Sequence, residues 1–165
     1  MNSWNLSLDA NLLPKRHASG GESDIVIDYP RTKYYPKHKL MVEVTLTNDT
    51  NQRRAEMEPV SRHLGVLKAK NTDMEVYGVF ISNYLDVNVI VDLRGRKNLP
   101  FYDRATGTWV SDNKLLPMNT ENIKKILVKN LSYKFLYNFL NEAYLKDVPF
   151  QNWYEETINI PLNNL

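Results

Sequence analysis

Three carboxylates stand where their types and spacing could do chemistry. Asp24 opens the alternating run DIVIDY (24–29), Glu43 sits mid-way through LMVEVTLT (40–47), and Glu56 lies in QRRAEMEPVSRHL (52–64). Glu43 poses the sharpest question, because its neighbours suit burial and an unpaired buried carboxylate is costly. Such a group is normally ion-paired, hydrogen-bonded or bound to a metal. The 165 residues include no cysteine, so a site built from these acids is hard and oxygen-rich, suited to Mg²⁺ or Mn²⁺. Such ions polarise a phosphoryl oxygen and lower the pKa of bound water; a second ion steadies a leaving oxygen. The chemistry this points to is phosphodiester hydrolysis.

Hydrophobic periodicity indicates the elements that must position these acids. In 24–29, Ile25 and Ile27 point one way, and Asp24, Val26 and Asp28 the other. In 40–47, Leu40, Val42, Val44 and Leu46 line an apolar face, and Met41, Glu43, Thr45 and Thr47 line a less apolar one. Between them, 30–39 is a long connection with two prolines, in which His38 reads as a loop residue. If the two strands pair as a hairpin, Asp24 and Glu43 converge on one sheet face. A helix over 52–68, kinked at Pro59, carries Met57, Val60, Leu64 and Leu67 as its stripe. Glu56 and His63 share one edge of that stripe, so packing brings Glu56 toward the other two acids.

The segment 75–82 is apolar on both alternations, as an interior strand would be, while 88–93 fits either helix or strand. Turn residues over 94–98, 105–109 and 111–114 mark a hairpin region ending in KLLPM. One helix follows Thr120 as N-cap, burying Ile123, Ile126 and Leu127. Another spans 132–145 with Phe135, Leu136, Phe139 and Leu140 inward, and 148–158 adds a short third. Strands interleaved with helices indicate an α/β domain with a mixed sheet.

Composition narrows the classes. Hydrophobic content of 42% and charged content of 24% are those of a soluble globular protein. No apolar run approaches the roughly 20 residues that span a bilayer, so no membrane partner is expected. The first residues lack the basic and apolar regions of a signal peptide. Absence of cysteine excludes disulfides, thiolate metal sites and a cysteine nucleophile, and fits a cytoplasmic location. A net charge of +2 permits an anionic partner without arguing for one.

The stretches HASGG (17–21), GGESDIVIDY (20–29) and LMVEVTLTNDTNQRRAEMEPVSRHL (40–64), with a weaker echo in LLPMNTENIKKIL (115–127), resemble a known family. They are similar to the cleavage domain of AlwI-type restriction endonucleases, the type IIS group that includes nicking enzymes. The resemblance implies a PD-(D/E)xK core, a restriction-endonuclease-like mixed sheet flanked by helices, with 1–165 as a single cleavage domain. It makes Asp24 and Glu43 the first and second acids, both ligands of Mg²⁺ with Mn²⁺ as a substitute, and gives the carbonyl of Val44 a further ligand role. Thr45 occupies the place where the wider superfamily keeps a lysine. Glu56 matches a helical catalytic acid that holds a second ion or a water, or takes over from the lysine. His63 becomes a candidate for contacting a phosphate or orienting Glu56, and His17 enters through HASGG.

The chain also departs from that pattern. The family places another functional acid on a helix well before the Asp strand, and Asp9, in a setting that does not match, is the sole aspartate ahead of the glycine loop. The resemblance also leads to the expectation that the recognition domain, usually N-terminal in this family, lies outside these 165 residues. The expectation is a cleavage domain of a larger enzyme, or a small subunit needing a partner, weakly active or inactive alone. Its substrate would be double-stranded DNA, with site specificity supplied by a separate recognition domain or second subunit.

Each signal also has a plainer reading. Glu43 could be a half-exposed strand residue paired with Lys39, Asp24 a turn residue, and Glu56 part of a charged helix face. His63 could be a hydrogen-bonded, semi-buried residue. KYYPKHK (33–39) interleaves bases with aromatics, which suits backbone and stacking contacts to DNA or an ordinary hairpin tip. The leading expectation is a Mg²⁺-dependent DNA endonuclease. Its competitors are a non-catalytic DNA-holding or assembly module on the same fold, and a repair or junction-resolving nuclease that reads DNA shape.

Overall fold

The computed structural model describes residues 23–46 and 52–165. Strands β1 (Ile25–Tyr29) and β2 (His38–Thr45) form an antiparallel pair, the connection over 30–37 being shorter than a parallel crossover needs. Helix α1 (Gln52–Ala69) carries the chain back so that β3 (Glu75–Ser82) can lie parallel to β2. After α2 (Val87–Gly95) and the small hairpin of β4 (Phe101–Asp103) and β5 (Thr108–Val110), β6 (Lys114–Asn119) joins β3 in parallel. The sheet order is β1-β2-β3-β6. Helices α3 (Thr120–Val128) and α4 (Tyr133–Leu145) follow. The last helical segment is α5 (Phe150–Tyr154), a π-helical turn (Glu155–Asn159) and α6 (Ile160–Asn163). The result is a mixed sheet with helices on both faces, and among the described residues no helix is long and apolar enough to cross a membrane.

Each face has its own core. Met41, Val76, Phe80 and Leu115 pack under α1 and α2 against Met57, Val60, Leu64, Val89 and Leu93. On the other face, Leu40, Tyr77, Val79, Leu116 and Met118 meet Leu140, Tyr144, Trp153 and Ile158. A side chain at Gly78 would run into Leu115, so the interior strand β3 keeps a glycine there.

Several local expectations are corrected. The 88–93 segment is helical, with Asp86 capping α2. Asn119, not Thr120, caps α3, in a reciprocal capping box with Asn122, and Leu127 is exposed. The supposed apolar face of β2 fades toward its end: Val44 is 48% and Leu46 91% exposed, while Met41, Glu43 and Thr45 on the opposite face are buried. Burial follows where helices land, and α1 lands on the glutamate side.

His38 is the largest departure. It begins β2 rather than sitting in a loop, and is 1% exposed inside an aromatic cluster of Tyr29, Tyr35, Tyr77, Tyr133 and Tyr137. Its Nδ1–H donates to the Pro36 carbonyl at 2.7 Å, and Nε2 accepts from the Tyr133 hydroxyl at 2.6 Å. Burial holds this imidazole below the usual histidine range, so the fold requires its neutral form. A lowered folded-state pKa contributes stability that is complete above the unfolded value of about 6.5 and is lost as pH falls below it. Thermal melts from about pH 7.5 to about pH 5 should show that decline in the wild-type chain and a shallower one in His38→Gln. Identical pH dependence in the two would reject this role for His38.

Candidate active site

The β1–β2 register determines which side chains meet. Ile25 pairs with Val42, so the next position outward sets Asp24 directly opposite Glu43. Opposed residues in an antiparallel pair project to the same face, here the face covered by α1. The Asp24 carboxylate also ties the strand end, its Oδ2 accepting from the Val44 N–H at 2.8 Å.

Glu43 is only 7% exposed. Its Oε1 faces His63 Nδ1 on α1 at 2.8 Å, and the main-chain N–H of Asp24 also donates to the carboxylate. Burial nonetheless dominates, with the charge of Asp24 adding to it. Together they push the Glu43 carboxyl above the ordinary carboxylate range despite the opposing pull of His63. The pairing with Lys39 does not occur, because Lys39 forms an ion pair with Asp28, directly across the same strand pair. His63 thus orients Glu43 rather than Glu56, and its Nε2 is buried without a hydrogen-bond partner among the described residues.

Glu56 is half-buried one step along, its Oε1 accepting from Thr45 Oγ1 at 2.7 Å. Two strand residues spaced by two therefore engage two helix residues spaced by seven, in reverse order. This match has a geometric cause. Two strand residues advance about 6.8 Å and seven helical residues about 10.5 Å, a difference that side chains can absorb. His17 lies outside the described residues.

Gln52 is a participant that sequence reasoning passed over. It is fully buried at the start of α1, its Nε2 donating to Ser82 Oγ and the Tyr84 carbonyl, each at 2.7 Å. Its Oε1 accepts from the Asp86 N–H at 3.2 Å. These bonds pin the first turn of α1 to the end of β3, one turn before Glu56. A glutamine beside two arginines carries no signal of burial in its type or spacing.

The arrangement offers hard oxygen donors around a buried carboxylate that bears an electrostatic cost. Among the described residues, no three His, Asp or Glu side chains are grouped so as to hold an ion by themselves. Two carboxylates suffice for Mg²⁺, which usually retains waters and takes further oxygens from a bound phosphate. Asp24 and Glu43 fit that pattern, and a cation beside Glu43 would offset its cost.

A family model described as AlwI restriction endonuclease matches residues 1–126. No curated protein matches in sequence. Among solved structures, the fold is similar to the small subunit, R.BspD6I2, of the heterodimeric restriction endonuclease R.BspD6I. That likeness has a TM-score of 0.66 at 20% identity, covering 99% of this chain and 79% of the other.

Because the folded Glu43 carboxyl binds its proton more tightly than the unfolded one, the stability it contributes is complete below about pH 4.3. It is lost as pH rises through the elevated folded value. Glu43→Gln keeps the shape and removes the charge. In metal-free buffer it should therefore melt higher than wild type at about pH 7, the gap closing toward about pH 4. A lower melting temperature for the variant at neutral pH would contradict this electrostatic reading.

Proposed function

The chain belongs to the AlwI restriction endonuclease family, and from that premise we propose that it is a Mg²⁺-dependent DNA endonuclease cleavage domain of type IIS-like, PD-(D/E)xK character. It nicks one strand per active site, with site recognition delegated to a separate domain or second subunit. The observation that carries this reading is the placement of Asp24 directly opposite a buried, electrostatically costly Glu43. The heterodimeric nature of the enzyme containing the structurally similar small subunit supports the partner.

In this reading Asp24 and Glu43 hold the ion, with the Val44 carbonyl as a further donor. When bound, Mg²⁺ or its substitute Mn²⁺ supplies a polarised phosphoryl oxygen and a more acidic water. His63 fixes the Glu43 carboxylate through Nδ1, which restricts the oxygen directed at the ion. Glu56, steadied by the Thr45 hydroxyl, orders the attacking water and takes up its proton. The threonine thus serves the helical acid at the position where a lysine would otherwise stand. The burial of Glu43 beneath α1 limits screening of its own charge by bulk water.

A second reading, a non-catalytic DNA-holding or assembly module, draws on two observations. Thr45 replaces the lysine, and no described trio of His, Asp or Glu encloses an ion unaided. A supercoiled-plasmid assay with the complete enzyme, its partner and Mg²⁺ separates the two. The nuclease reading expects nicked product from wild type and none from Asp24→Ala or Glu43→Ala. His63→Ala should lower nicking about 10- to 100-fold, since it acts on a ligand rather than as one. Undiminished nicking by Glu43→Ala rejects the site, and DNA binding without any nicking by wild type favours the module.

A further inference from the structure

The KYYPKHK segment is divided by the fold. Tyr35 and His38 enter the aromatic core, Lys39 pairs with Asp28, and Lys37 faces Asp73 at 3.9 Å. What remains outside is Lys33 and Tyr34, and α4 adds a third member. The half-exposed Tyr34 ring has Lys134 Nζ at 4.3 Å and Lys33 Nζ at 5.0 Å from its centroid. Arg31 is exposed two residues before Lys33. Among the described residues, Arg31, Lys33 and Lys134 have no carboxylate within ion-pair distance, although Lys37 and Lys39 of the same segment each have one.

Gathering unmatched cations costs free energy in the isolated chain. One aromatic ring draws two ammonium groups to it, and Lys134 stands in the first turn of α4, where a cation opposes the helix dipole. The loop is held for this rather than left slack: the Tyr34 and Tyr35 N–H groups both donate to Thr32 Oγ1, at 3.1 and 3.2 Å. A polyanion relieves the repulsion at every member. The loop and Asp24 lie at the two ends of edge strand β1, five residues long. That length is about 17 Å, or roughly five base pairs of duplex.

We propose that Lys33 and Lys134, gathered around Tyr34, together with the exposed Arg31 two residues before Lys33, form a contact site for backbone phosphates of the duplex that reaches the Asp24–Glu43 end. The inference rests on the nuclease reading for its choice of polyanion. Binding there is independent of base sequence, because it acts on phosphates. It sets how the duplex lies along β1.

The test is fluorescence anisotropy of a labelled duplex against salt, with and without the partner subunit. It compares wild type, Lys33→Gln/Lys134→Gln, and the charge-matched control Lys70→Gln/Lys146→Gln. Circular dichroism melts confirm folding. The expected result is a fall in affinity of at least about tenfold at about 0.1 M salt for the first variant. The slope of log K against log salt should become shallower by about 2, and the control should stay at wild-type values. Equal losses in both variants, or no loss in the first while wild type binds and nicks, overturn the contact site and leave the nuclease reading standing. Loss of partner association with DNA binding intact would make the patch a protein-docking surface and also overturn it. Absence of duplex binding by wild type both with and without the partner overturns both.

Discussion

An antiparallel strand pair places residues directly opposite one another on a common face, and everything at the candidate site depends on that constraint between β1 and β2. Asp24 meets Glu43 because Ile25 meets Val42. Slipping the register by one would turn every β2 side chain to the opposite face. Glu43 would then leave the helix-covered side, and His63 would lose its partner. The core and the acids hold the same alignment: Leu40 and Met41 enter the two separate cores, and only one register satisfies both.

Against this frame, the burial of Glu43 is a local cost that the fold offsets in part. His63 and the Asp24 main chain give the carboxylate donors, and Glu56 is held by Thr45 nearby. A core optimised for stability alone would place an apolar residue at position 43, next to Met41. Retaining a carboxylate there is the pattern of sites whose function opposes stability. The buried Gln52 network shows the complementary investment, since it fixes where α1 begins and hence where Glu56 and His63 can reach.

Much of this was legible in the residues. Strict alternation in 24–29 and 40–47 is a local property, so the hairpin and the face shared by Asp24 and Glu43 follow from it. The seven-residue spacing of Glu56 and His63 on one helix edge is equally local. What alternation cannot express is which face a helix will cover. The apolar Val44 and Leu46 therefore read as core yet stand exposed, while the polar-looking side is buried. His38 escaped for a related reason: its surroundings come from α4 and β3, far away in the chain, and its own neighbours Pro36 and Lys37 resemble a turn. For His63 the plainer expectation, a hydrogen-bonded and semi-buried residue, agrees with the structure, but its partner is Glu43 across the interface on β2 and not Glu56 on its own helix, a pairing that helix spacing cannot express.

The account stands or falls on whether Asp24 and Glu43 share a cation. The most direct measurement is anomalous scattering from crystals of the complete enzyme with duplex DNA and Mn²⁺. The account predicts a strong manganese peak within about 2.0–2.6 Å of a carboxylate oxygen from each of the two residues, with Glu56 close to a water on that ion. A manganese site elsewhere, or a Glu43 carboxylate still turned wholly to His63 with no ion beside it, would contradict it.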